Sequence, residues 1–177
     1  AECEYICKDG TQCYHPCLTF YGFRYIRLDS FPDGPESAKA ENFEAISVYS
    51  DIPRTGMVSC SNPKLNRLFE NIVWGQKGNF LDVPTDCPQR DERLGWTGDA
   101  QVFVKAAAMN FDVEQFFQKW LADLATEQGQ DGAVGHMIPD THHWPTVSCA
   151  WGDAAVICPW EIYLAYGDSL ILRKQFQ

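Results

Sequence analysis

Residues 82–101, DVPTDCPQRDERLGWTGDAQ, bring Asp86, Asp91, Glu92 and Asp99 within a few positions of Arg90, Arg93 and the indole of Trp96. Carboxyl groups this close resist simultaneous ionisation, so one member of such a cluster tends to keep a proton. A proton held there can be handed to a substrate, which is how a carboxylic acid drives glycosidic bond cleavage. Arg90 and Arg93 suit the complementary task of keeping other carboxylates ionised for hydrogen bonding. Plainer roles fit the same residues. RDER can be a solvated ion-paired face, Asp99 a charge at a helix start, and Trp96 packing between Gly95 and Gly98. A calcium loop is excluded, because the D-x-[DN]-x-[DN]-G spacing is missing. What favours chemistry is the concentration of these groups in one loop-to-helix segment whose backbone is restricted by proline and glycine.

The elements around that segment change character along the chain. In residues 1–52, CEYIC, CYHPCLTFYGFRYIRLD and FEAISVYSDI alternate and are rich in Tyr, Phe, Ile and Val, with Asp-Gly turns between them. This pattern predicts strands, the closing part of a β-sandwich. From residue 61 the period becomes helical. Asn62 is placed as an N-cap and Pro63 as the first helical residue, with Leu65, Leu68, Phe69, Ile72 and Val73 on one apolar face. TGDAQVFVKAAAMNF predicts a second helix, and DVEQFFQKWLADLATEQGQ, capped by Asp112, a third. A loop rich in turn residues then leads to WGDAAVICPWEIYLAYGD, a helix with Pro159 inside it and hence a kink or late start. SLILRKQFQ begins a fifth. Paired helices joined by long loops suggest an α/α architecture.

Composition narrows the partners. The 177 residues are 45% hydrophobic and 14% aromatic, which supports a packed core, and no apolar run approaches the length of a membrane helix. A net charge of −10 argues against nucleic acid or an anionic membrane as partner. Neutral sugars fit better, and six tryptophans offer flat apolar faces to pyranose rings. No leader peptide is visible at AECEYICKDG, which points to the cytoplasm. The abrupt start without Met suggests a piece of a longer protein. Four of the eight cysteines form Cys3-x3-Cys7-x5-Cys13-x3-Cys17. A hairpin turning at Asp9–Thr11 would put all of them on one side, as free thiols, cross-strand disulfides or a zinc site.

DVPTDCPQRDERLGWTGDAQ resembles the signature of the bacterial α-L-rhamnosidases of glycoside hydrolase family 78, nearly without a gap. FYGFRYIRL is similar to the end of the β-sandwich domain that precedes the family's catalytic domain. WGDAAVICPWEIYLAYGD is similar to its substrate-site helix. The resemblance implies a mixed fold present only in part: a short β-sandwich remnant over 1–52, then the N-terminal part of an (α/α)6 catalytic barrel over 53–177. It further implies hydrolysis of terminal non-reducing α-L-rhamnose with inversion. Carried over residue by residue, Glu92 is the general acid. Asp86 and Asp99 bind rhamnose hydroxyls, Arg90 contacts the substrate, and Trp96 and Trp151 wall the pocket. Asp153 is a further polar contact or a helix N-terminal charge.

An inverting hydrolase needs a second carboxylate roughly 6.5–9.5 Å from the acid. The family places it on a later part of the barrel, and neither Glu127 nor Glu161 matches it. The chain is therefore expected to be inactive alone, to expose an apolar face, and to need the rest of its polypeptide. His136, His142 and His143 lack H-E-x-x-H spacing and read as exposed or substrate-adjacent, so neither metal nor cofactor is expected. The competing readings are a non-catalytic sugar-binding or structural relative and a hydrolase of the same fold acting on another sugar.

Overall fold

Asn62 opens the helical part of the chain in the computed structural model, which describes residues 2–143 and 146–176. Its side chain accepts the Lys64 N–H at 3.0 Å, and Pro63 occupies the first helical position. Helix α1 runs Pro63–Asn79 and ends in a minimal hairpin, β1 (Phe80–Leu81) and β2 (Val83–Pro84). Asp82 makes its turn at φ 66°, a left-handed conformation that Asp tolerates better than most residues. Then follow α2 (Thr97–Asn110), α3 (Glu114–Glu127), α4 (Ala154–Tyr166) and α5 (Leu170–Gln175).

Helix α3 is the centre of the core, with Phe117, Trp120, Leu121 and Leu124 buried. Ala100, Ala107 and Ala154, all buried, keep the α2 and α4 surfaces small where the two helices meet. Cys158, Ile162 and Ile171 close the far side. Two polar side chains are buried as a pair: Asn110 donates to Gln76 Oε1 at 2.9 Å, and Gln76 donates to the Ala107 carbonyl. Each thereby meets the need of a buried amide for a partner.

Several expectations are corrected. Asp112 does not cap α3; Val113 takes that position. The Val113 N–H, at the cap position itself, donates to the Tyr166 hydroxyl of α4 at 2.8 Å, and α3 has no side-chain cap among the described residues. That hydroxyl in turn donates to the Phe111 carbonyl. Burial raises the Tyr166 pKa. Helix α4 starts at Ala154 and runs through Pro159 rather than starting there. The apolar face expected on α1 is only partly used: Val73 is buried, while Leu65, Leu68 and Ile72 remain exposed. Their periodicity marks a face, but nothing in the described chain covers it.

The strands expected over 1–52 are likewise not formed among the described residues. That segment is extended, with 3-10 turns at Pro35–Ser37 and Ala40–Asn42. A strand exists only when a neighbour takes its N–H and C=O groups, and the alternating pattern has no second sheet here to pair with. Tyr5 and Tyr14 stack at 4.3 Å between centroids, but the cysteines beside them are free thiols.

Candidate active site

The segment 82–101 leaves β2 as a loop that Asp86 clasps at both ends. The Asp86 N–H donates to the Leu94 carbonyl at 3.1 Å, and its Oδ1 accepts the Leu94 N–H at 3.0 Å. Within the excursion, Arg90 N–H donates to the Cys87 carbonyl and Glu92 N–H to the Arg90 carbonyl. The loop lands on a second anchored stretch. Ile138 N–H donates to the Gly95 carbonyl at 2.8 Å, and Thr97 N–H to the His136 carbonyl at 2.9 Å. Trp96 thus pairs antiparallel with Met137. A Cβ on Gly95 would lie 2.1 Å from the Ile138 carbonyl oxygen, so only glycine permits this approach.

Glu92 sits between these anchors with its side chain 23% exposed. Trp96 Nε1–H donates to its Oε1 at 3.2 Å, and Arg90 Nη2 reaches its Oε2 at 2.5 Å. Clustering of acids alone would surround one carboxyl with like charge; the fold instead gives Glu92 a cation and an N–H donor. Asp86, Cys87 and Glu92 bring ligand-type atoms within 4.8 Å of one another, the one such grouping among the described residues. Both carboxylates already accept hydrogen bonds there. Hydrogen bonding to Asp86, then burial, pushes the Cys87 pKa up, favouring the neutral thiol. The pKa of Arg90 is raised by Cys87 where that thiol is ionised, and then by the Glu92 carboxylate. Arg93, its side chain only 20% exposed, folds back on the loop instead, donating to the Arg90 carbonyl, pairing with Asp91 and lying 5.2 Å over the Phe20 ring.

Asp99 lies exposed in the first turn of α2 and carries no ion pair among the described residues. Beside it, Trp151 packs over Gly98, where a Cβ would meet its Nε1 at 3.0 Å. The His136 ring lies 5.1 Å from Trp151, with Nε2 2.8 Å from Ser148 Oγ. Asp153 holds the turn before α4, its Oδ2 accepting the Ala150 N–H at 3.0 Å. Geometry thus joins Arg90, Glu92 and Trp96 through direct bonds, brings Asp86 within 4.8 Å of Glu92, and sets Trp151 against the backbone next to Asp99. Cys87 was overlooked inside the motif, and the Ser148–His136–Trp151 contact had no signal in sequence spacing. Glu127 is occupied in fixing the loop, accepting the Asp140 N–H at 2.8 Å. A groove of about 400 Å³ lies elsewhere, along Ser50, Asp112, Phe116 and Lys119, and none of the candidate residues lines it.

Comparison with known proteins agrees with this arrangement of elements. Residues 53–177 match the bacterial α-L-rhamnosidase 6-hairpin glycosidase domain. An α-L-rhamnosidase of Alteromonas sp. is 45% identical over 170 residues, covering 96% of this chain and 18% of its own length. One from Formosa agariphila is 43% identical over 169 residues, again covering 96% of this chain and 18% of its own. The chain therefore spans less than a fifth of these relatives. Among solved structures, the α-L-rhamnosidase of Aspergillus terreus superposes with a TM-score of 0.86 at 43% identity, over 94% of this chain and 20% of that one. The Streptomyces avermitilis α-L-rhamnosidase complexed with L-rhamnose gives 0.66 at 44% identity, over 72% and 12%. With a family match over its whole helical part and identities above 40% along nearly its full length, this chain belongs to the bacterial α-L-rhamnosidase family.

Proposed function

We propose that the full-length protein carrying this chain is an inverting α-L-rhamnosidase that releases terminal non-reducing α-L-rhamnose, with Glu92 as its general acid. The observation that carries this reading is the placement of Glu92: half-buried, in a loop clasped by Asp86, and held by Arg90 and Trp96. In the reaction the bond from the anomeric carbon to the glycosidic oxygen breaks and that oxygen takes the proton of Glu92. Water attacks the opposite ring face, giving its proton to a base elsewhere in the barrel. Asp86 and Asp99 bind sugar hydroxyls, Arg90 contacts the substrate, Trp96 and Trp151 offer apolar surface to the ring and its methyl group, and Asp153 adds a polar contact. Paired with strands elsewhere in the full-length protein, residues 1–52 end a β-sandwich domain, and 53–177 begin an (α/α)6 barrel. Without that base the 177 residues alone turn over no substrate.

The test is hydrolysis of an aryl α-L-rhamnoside by the full-length protein and its Glu92→Gln variant. A positioned acid contributes about 10²–10⁴-fold, and a loss of that size is expected. Near-full activity in the variant overturns the assignment. Proton NMR of the first-formed sugar reads the stereochemistry; the β-anomer is expected, and the α-anomer overturns inversion.

A further inference from the structure

We propose that Trp96 is a positioning residue for the acid, its indole N–H fixing Oε1 of Glu92 so that Oε2 is the oxygen that delivers the proton. This rests on the reading of Glu92 as general acid and extends it. The wall role given to Trp96 needs only its ring; the hydrogen bond needs its nitrogen.

Both carboxylate oxygens of Glu92 are engaged, but by donors of different kinds. Arg90 reaches Oε2 at 2.5 Å from a side chain that is 63% exposed. Trp96 reaches Oε1 at 3.2 Å from a half-buried ring on an anchored backbone. Its N–H is bonded to the Leu94 carbonyl, and its neighbours Gly95 and Thr97 are bonded to the 136–138 strip. One donor is free to leave and the other is not. A protonated carboxyl has one carbonyl-type oxygen that accepts and one hydroxyl that donates. The Trp96 N–H on Oε1 is compatible with that state because it selects Oε1 as the acceptor. A guanidinium on Oε2 is incompatible with Oε2 donating a proton. For transfer to occur, Arg90 therefore turns away, toward the substrate, while Trp96 stays. The arrangement is that of a supporting hydrogen bond that locks a reactive group's rotamer.

The consequence is specific to the proton-transfer step. Misdirecting an acid hurts most when the departing oxygen is strongly basic and cannot leave unprotonated, and least when the aglycone is activated. The experiment compares full-length wild type with Trp96→Phe, which keeps an apolar ring and deletes the N–H. Benzothienylalanine at position 96 serves as a second variant, replacing N–H by sulfur in a bicyclic ring of the same shape. Substrates are a 2,4-dinitrophenyl and an alkyl α-L-rhamnoside, and Trp151→Phe is the comparator. Both position-96 variants are expected to lose about tenfold more kcat/KM on the alkyl than on the dinitrophenyl substrate, the worth of one hydrogen bond. Trp151→Phe loses equally on both. Equal losses at position 96, or no loss, overturn the proposal. Wild type inactive on both rhamnosides overturns the functional reading instead.

Discussion

At the scale of single residues, the close approaches of the backbone decide more than the charges do. Gly95 lies against the Ile138 carbonyl, and Gly95→Ala forces that strip apart. Unfolding by urea is expected to show a destabilisation of about 1–3 kcal/mol. Gly75, inside α1 with open space around it, is the contrast. Gly75→Ala is expected to stabilise by about 0.5–1 kcal/mol, since it removes only the entropy that glycine loses on folding. Equal effects at the two positions would remove the distinction between them. The motif around Glu92 was legible as chemistry because residue types alone suffice to name it. The Trp96 bond to Glu92 was not, because two side chains four positions apart in a loop meet only if the loop closes.

At the scale of elements, the helices α1 to α5 were legible from periodicity and punctuation, most directly where Asn62 and Pro63 open α1. Their partners were not. Asp112 reads as the cap of α3, but the helix begins one residue later, with Val113 at the cap position and its N–H on the Tyr166 hydroxyl of α4. Helix α4 carries a further consequence. Cys158 is fully buried there, and desolvation, with the Glu161 charge second, raises its pKa to about 12. An acid whose folded pKa lies above its unfolded value stabilises the fold below the unfolded value, and that stability is lost as pH rises through the folded one. The chain is therefore expected to lose stability between about pH 9 and 12, by up to a few kcal/mol from this thiol. Denaturant unfolding of Cys158→Ala across that range is expected to show a flatter decline than wild type. An identical slope would show that other groups govern the alkaline limb. In a thiol-labelling experiment at neutral pH, Cys158 is expected to react only on unfolding, while Cys3, Cys7, Cys13, Cys17, Cys60 and Cys149 react in the folded chain.

At the scale of the whole molecule, α4 is apolar on opposite sides. Ala154, Cys158 and Ile162 are buried, while Val156, Trp160 and Leu164 are 73%, 49% and 57% exposed. These three are spaced four apart and make a single stripe. An open stripe of this kind favours association. The 177-residue chain is expected to self-associate in light scattering at micromolar concentration, and Leu164→Lys to shift it toward monomer. A chain that is monomeric without the substitution would contradict this. In the full-length protein the same substitution is expected to destabilise instead, because the remaining helices of the barrel would cover the stripe.

The sequence by itself determined the helical period, the cap of α1 and the chemistry named by DCPQRDERLGW. Each of these is local: a propensity, a spacing or a residue type that acts over a few positions. Tertiary structure decided what those residues touch. It placed Arg90 and Trp96 on the two oxygens of Glu92, tied the Val113 N–H before α3 to Tyr166 of α4, and left residues 2–52 without ladders. The reason is physical: a hydrogen bond or a buried face needs a partner distant in the chain, and its position follows only from how the elements pack.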